Sequence, residues 1–146
     1  MCVGAQPSSM VERVLVPVDG SPPSRRALEF VREEWPDASV VLVHVIDPKS
    51  RADARPLPSG SEEWYREAQA EAEELFETYR EAVPADVETR TTVGAVPERI
   101  TEVAEEADVE VIVVGSHGRT GVQRVLLGSV AEAVARRAPV PVTIVR

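Results

Sequence analysis

The sequence predicts one α/β domain in which five parallel strands form a doubly wound sheet with helices on both faces. Two observations lead to this prediction. Short apolar runs rich in Val and Ile alternate along the chain with amphipathic helical patterns, which is typical of parallel sheets with right-handed crossovers. The chain also has 146 residues, a usual length for one domain, and nothing in it fits a second domain.

The predicted strands are short runs with β-strand character. They cover residues 13–18, 39–46, 86–93, 110–114 and 140–145. The second run is almost continuously apolar, as expected for a strand that is covered on both faces. The third alternates with polar residues, which indicates a position near an edge of the sheet. The fifth is short and C-terminal, and we expect it at an edge as well.

The helices are predicted from apolar residues at spacings of three and four and from their end signals. Ser21 suits the N-cap of the first helix, Pro22 its first position, and Pro36 its end. Three further helices are predicted over residues 61–83, after Pro97, and over residues 129–138. Residues 1–9 carry no periodic pattern, so we expect a flexible tail there and one domain over residues 10–146.

Charge and composition argue against several classes of protein. The net charge of −9 makes nucleic acid an improbable partner, since phosphate backbones require clustered Lys and Arg. No apolar stretch approaches the length of a membrane span, and the first residues lack the pattern of a secretory signal. Cys2 is the single cysteine, which excludes a disulfide within the chain. We therefore expect a cytoplasmic protein without nucleic-acid or membrane partners.

Residues 115–129, GSHGRTGVQRVLLGS, carry the most informative motif. Its spacing, G-x2-G-x9-G-S, matches neither a Walker A sequence nor the GxGxxG of a dinucleotide fold. Glycines at positions 115, 118 and 128 let backbone N–H groups approach an anion closely. The helix that begins at Ser129 would then present its positive end to a phosphate.

Three segments together identify a family resemblance. VLVPVDGS at residues 14–21, the VGSHGRTG…LLGSVAEAV block at 114–134 and the terminal VPVTIV resemble the universal stress protein (UspA-like) family. The glycine spacing is similar to that of the family's ATP-binding branch. The resemblance implies a Rossmann-like fold, similar to that of adenine nucleotide α-hydrolases. It also implies ATP as the ligand, with Mg²⁺ held mainly by the phosphates, and a homodimer formed through residues 140–145.

The resemblance also implies a set of binding residues. The adenosine pocket would be formed by Pro17, Val18, Asp19 and Val45. The phosphates would contact Gly115, Gly118, Gly128, Ser129 and Val130. His117 lies in the same loop, and because no acidic partner accompanies it we interpret it as lining the nucleotide site rather than as a general base.

Several of these residues also have purely structural interpretations. Ser129 and Glu132 fit the capping box S-x-x-E, which would explain both without a ligand. Asp19 fits a turn or cap after the first strand, and His44 fits a structural hydrogen bond within the second.

Three functions are consistent with the sequence. The first is a nucleotide-dependent regulatory or protective module in the stress response. The others are a slow ATP hydrolase and a nucleotide-free dimer that acts through its surface. No catalytic base or set of metal-binding carboxylates accompanies the loop, so we expect hydrolysis to be slow or absent.

Overall fold

The computed structural model describes residues 11–49, 61–83, 87–116 and 128–146 of the chain. Strands and helices alternate through this part of the chain, as the sequence predicts. The strands are β1 (Arg13–Pro17), β2 (Ser39–Ile46), β3 (Val87–Val93), β4 (Val111–Gly115) and β5 (Val142–Val145). The helices are α1 (Pro22–Glu34), α2 (Ser61–Arg80), α3 (Val96–Glu106) and α4 (Ser129–Arg137). No helix among the described residues is long and apolar enough to cross a membrane.

The strands form one parallel sheet in the order β3-β2-β1-β4-β5. The chain winds outward from β1 through β2 to β3, then crosses back to β4 beside β1 and continues to β5. Strand order therefore reverses between β1 and β4. In open α/β sheets this reversal leaves a crevice at the carboxyl ends of the two strands, where ligands commonly bind.

Each face of the sheet is covered by two helices, so the predicted doubly wound fold is confirmed. Leu28 of α1 and Phe76 of α2 pack in one buried cluster with Val14 and Val16 of β1. Residues of α3 and α4 pack in the other cluster with Leu15. Because neighbouring residues of β1 point to opposite faces, the central strand is buried on both sides.

The two edge strands differ from the central ones in exposure. All residues of β3 and β5 are half-buried, whereas Val14, Leu15 and Val16 of β1 are fully buried. Both edge positions were predicted, β3 from its alternating pattern and β5 from its length and place at the C-terminus.

Two predicted boundaries shift for identifiable reasons. The fifth strand begins at Val142 rather than at residue 140, because Pro141 has no amide hydrogen and takes part only as an acceptor, from the Ile112 amide at 3.0 Å. The long helix ends at Arg80 rather than at residue 83. There the amides of Ala82 and Val83 bond carbonyls three residues back, which tightens the chain out of the α-helix.

A group of charged residues lies at the amino ends of the strands, opposite to the crevice. The Glu88 carboxylate accepts from Arg90 Nε at 2.6 Å and from Arg13 Nη2 at 2.7 Å. These hydrogen bonds, first that of Arg90 and then that of Arg13, lower the pKa of Glu88 below its ordinary value of 4.5. Arg13 also donates through Nε to the Ala107 carbonyl at 2.7 Å, which connects β1 to the end of α3.

Candidate functional site

A cavity of about 180 Å³ opens at the carboxyl ends of the strands, where the strand order reverses. Pro17, Val18 and Asp19 form its wall at the end of β1. Gly115 lies at the end of β4, and Gly128 and Val130 lie at the start of α4. The structure thus brings together most of the predicted site residues that it describes.

The deeper wall of the cavity is apolar. It is formed by Val43 and Val45 of β2, Ile100 of α3, Val114 of β4 and Ala131 of α4. All except Val45 are buried in the core between the sheet and the α3–α4 layer. A rigid apolar wall with a few polar groups at its rim is the usual form of a small-molecule site.

The turn between β1 and α1 supplies one polar rim. The Asp19 carboxylate accepts through Oδ1 from the Ser21 amide at 2.9 Å and from Ser21 Oγ at 2.5 Å. Ser21 is the N-cap of α1, as predicted, and its Oγ accepts from the Ser24 amide at 3.5 Å. The predicted turn role of Asp19 is therefore confirmed, and the same residue also lines the cavity.

The amino terminus of α4 supplies the opposite rim. Its N-cap is Gly128, with φ −69° and ψ 161°, and a glycine has no side chain that could cap the first turn. Ser129 is the first helical residue, so the capping-box interpretation of Ser129 and Glu132 is wrong, because a capping box requires the hydroxyl at the N-cap. The Glu132 carboxylate instead pairs with Arg136 at 2.9 Å, one turn further along the helix.

Gly115 has a packing role in addition to its place in the cavity wall. A Cβ at this position would lie 2.1 Å from the carbonyl oxygen of Pro23. The first turn of α1 thus packs directly on the backbone of β4, and only glycine leaves room for it. This contact gives a reason for the first glycine of the motif that needs no ligand.

Three predicted site residues remain, along with His44, for which the sequence predicted a structural role. Ser129 is exposed and does not line the cavity. His117 and Gly118 lie outside the described residues. His44 makes the structural bond that was predicted, since its Nδ1 lies 2.9 Å from the Val18 carbonyl oxygen, and its side chain also borders the cavity.

The sequence interpretation missed the first turns of α1 and α3. Ser24 and Pro23 line the cavity from α1, and Val96 lines it from α3. The signal was available, because a helix that follows a strand begins at the same edge of the sheet as the strand ends. Asp47 and Gly94 also follow strands, but they are not among the residues that line the cavity.

The chain was compared with known protein families and with known proteins. The model of the universal stress protein family matches residues 10–146. Universal stress protein MJ0577 of Methanocaldococcus jannaschii is 32% identical and the match covers 95% of this chain and 97% of that protein. Universal stress protein MJ0531 of the same organism is also 32% identical, with 94% of this chain and 84% of that protein covered.

Solved structures agree with these sequence matches. The structure of MJ0577 superposes with a TM-score of 0.75 at 31% identity and covers 93% of this chain and 96% of its own. The crystal structure of a universal stress protein in complex with cAMP gives a TM-score of 0.58 at 28% identity, with 93% and 97% covered.

Proposed function

This chain belongs to the universal stress protein family, and on that premise we propose that it binds ATP in the cavity between β1 and β4. We propose further that ATP makes it a nucleotide-dependent regulatory or protective module of the stress response in the cytoplasm. One observation carries the binding proposal. An apolar cavity at the carboxyl ends of β1 and β4 adjoins a helix amino terminus whose N-cap, Gly128, has no side chain.

Each part of ATP has a chemically suitable part of the site. The apolar wall that includes Val18 and Val45 suits the faces of an adenine ring, and the Asp19 carboxylate accepts hydrogen bonds from a ribose hydroxyl or an amine. Backbone amides and the positive end of the α4 dipole suit a phosphate near Gly128 and Val130. In this proposal the phosphates would hold Mg²⁺, as is common for that ion.

The relatives support an adenine nucleotide. A family member that is 28% identical was crystallised in complex with cAMP, and its structure covers almost all of this chain. cAMP and ATP both contain adenine, ribose and a phosphate. In our proposal the cavity binds the first two groups and the amino terminus of α4 binds the phosphate.

Calorimetric titration with ATP tests the proposal. We expect the wild-type chain to bind and Gly128→Val to weaken binding by about 100-fold or more, because the side chain would occupy the space before the first α4 amides. At φ −69° valine is conformationally allowed, so the variant should fold. Ala135→Val, on the exposed side of α4, is the matched control and should bind as the wild type does. A wild-type chain without measurable ATP affinity would overturn the proposal.

We propose that the partner of β5 is a second copy of the chain, related by a twofold axis. β5 lies at the edge of the sheet and pairs with β4 on one side. The carbonyls of Pro141 and Val145 face β4, since they accept from the amides of Ile112 and Ser116. Backbone groups alternate along a strand, so those of Val142 and Ile144 face the open edge, where an identical strand can pair with them.

This alternation provides a selective test of the dimer. Ile144→Pro removes an outward-facing amide and leaves the hydrogen bonds to β4 intact, so we expect a folded monomer by light scattering. Thr143→Pro removes an amide that faces β4 and should destabilise the fold instead. Ile144→Val keeps the amide and should remain a dimer. If the Ile144→Pro variant is folded and dimeric, the interface lies elsewhere.

A further inference from the structure

The hydroxyl of Tyr79 lies beneath the turn that forms the Asp19 rim of the cavity. Tyr79 is fully buried near the end of α2, and it does not line the cavity itself. Its Oη is 3.1 Å from the Gly20 amide nitrogen and 2.8 Å from Ser24 Oγ. A buried tyrosine of α2 therefore contacts both the turn between β1 and α1, at Gly20, and the first turn of α1, at Ser24.

The direction of each hydrogen bond follows from the donors available. The Gly20 amide can only donate, so Tyr79 Oη accepts from it. The Ser21 carbonyl can only accept, and Ser24 Oγ lies 3.0 Å from it, so the Ser24 hydroxyl hydrogen is directed there. The hydroxyl hydrogen of Tyr79 is then directed to Ser24 Oγ. Each hydrogen is used once, and the chain of bonds has a single consistent direction.

This hydrogen-bond chain ends on residues that face the ligand cavity. Ser24 and Ser21 both line it, and the Ser21 amide and hydroxyl hold the Asp19 carboxylate. Gly20 has a φ of +84°, a left-handed conformation that orients its amide for this turn. Hydrogen bonds through the turn thus connect the Asp19 carboxylate to the hydroxyl of Tyr79.

We propose that Tyr79 is a positioning residue for the nucleoside end of the ligand. Its hydroxyl holds the turn between β1 and α1 in the conformation that presents Asp19 and Ser21 to the cavity. This inference rests on the proposed ATP site and adds to it a residue that never touches the ligand. The α4 amino terminus, on the opposite rim, does not depend on Tyr79, so the phosphate end of the ligand should be unaffected by its loss.

Calorimetric titrations with ATP and with inorganic tripolyphosphate test this separation. For Tyr79→Phe we expect ATP affinity to fall about fivefold to tenfold, the usual effect of losing one or two buried hydrogen bonds, while tripolyphosphate affinity stays unchanged. Tyr65→Phe is the matched control, because Tyr65 is on the same helix and its exposed hydroxyl accepts from Gln69 at 2.9 Å. It should bind both probes as the wild type does.

Two results would overturn the inference. Equal losses for ATP and tripolyphosphate would mean that Tyr79 acts through general stability, and unchanged ATP affinity would mean that the turn does not need its hydroxyl. Ser24→Ala removes the same bond from its other end and serves as a second variant if Tyr79→Phe folds poorly. The losses in the two single variants should overlap, so the double variant should bind ATP little more weakly than the weaker single one.

Hydrogen exchange separates this inference from the proposed function. If the wild-type chain binds neither probe, the ATP site is wrong. The hydrogen bond between Tyr79 and the turn is then tested by the hydrogen-exchange rate of the Gly20 amide in the ligand-free protein. This rate should rise about tenfold in Tyr79→Phe. The Ile112 amide, bonded to Pro141 in the sheet, should exchange as in the wild type. An unchanged Gly20 rate would refute the role of Tyr79.

Discussion

Helices α1 and α4 both begin at the cavity, but their first turns are completed differently. At α1 the N-cap Ser21 accepts from the Ser24 amide, and Asp19 in turn accepts from Ser21. At α4 the N-cap is Gly128, which offers no side chain to the first amides. At α1 the side chain of Ser21 accepts a hydrogen bond from an amide of the first turn. Helix α4 presents its positive end to the cavity, which is where a ligand anion would be stabilised.

Gly115, which contacts α1, and Gly128, the N-cap of α4, also differ in whether the fold requires a glycine. Gly115 is required by protein packing, because α1 lies directly against it. Gly128 has a φ that any residue can adopt, so the conformation of the chain does not require glycine there. One glycine of the motif thus serves the fold, and in our proposal the other leaves space for the phosphate of the ligand.

The largest expected effect is at Gly115. Gly115→Ala places a methyl group 2.1 Å from the Pro23 carbonyl oxygen, and neither backbone can move without disturbing β4 or α1. We expect the free energy of unfolding, measured by urea denaturation, to fall by about 3 kcal/mol. Gly128→Ala is the matched control and should cost less than about 1 kcal/mol. Equal losses in the free energy of unfolding for the two variants would mean that the fold does not require glycine more strongly at position 115 than at position 128.

The next effect is on binding and tests the open amino terminus of α4. Gly128→Ser places a hydroxyl at the N-cap of α4, so the first amides gain an internal acceptor. We expect ATP affinity to fall about tenfold, while stability rises by a few tenths of a kcal/mol. Calorimetry and urea denaturation of the same preparation measure both. Unchanged ATP affinity in a stabilised variant would show that the ligand does not use these amides.

Much of this architecture could be predicted from the sequence, because it depends on periodicity. Apolar runs defined four of the strands, an alternation of apolar and polar residues defined β3, and the Ser21-Pro22 signal defined the start of α1. The cavity wall formed by Val18 and Asp19 was also expected, from the family resemblance. The strands and the start of α1 depend on short segments whose physical preferences are local.

The features that could not be predicted depend on contacts between distant segments. Nothing near Gly115 in sequence shows that Pro23 will pack against it, and nothing near Tyr79 shows that it will lie beneath Gly20. The error at Ser129 has a different origin. The S-x-x-E pattern predicted Ser129 as the N-cap. The N-cap is Gly128, one position earlier, and Ser129 is the first residue of the helix.

A smaller effect is expected at the capped helix. Ser21→Ala removes the N-cap hydroxyl of α1 and its bond to Asp19. We expect a loss of about 0.5 to 1 kcal/mol in the free energy of unfolding, since the bond to the Ser24 amide is long at 3.5 Å. Ser39→Ala, in an exposed hydrogen bond at the far end of the sheet, is a suitable control. If Ser21→Ala leaves the free energy of unfolding unchanged, the Ser21 side chain does not stabilise the amino end of α1.

The smallest effect lies at the opposite end of the sheet and tests whether stability and binding can be separated. Hydrogen bonds from Arg90 and Arg13 lower the pKa of Glu88, so near its ordinary value of 4.5 the unfolded chain binds more protons than the folded one. The stabilisation is therefore complete above pH 4.5 and is lost as the pH falls through the lower pKa of the folded state.

The variant Glu88→Gln measures this contribution. Because the Glu88 side chain is 38% exposed, solvent screens the pair and we expect a loss of less than about 1 kcal/mol at neutral pH. The difference from the wild type should shrink in urea denaturations at about pH 3. ATP affinity at neutral pH should not change, since Glu88 lies near the amino end of β3 and does not line the cavity. A difference that persists undiminished in acid would mean that Glu88 stabilises the fold by packing rather than by charge.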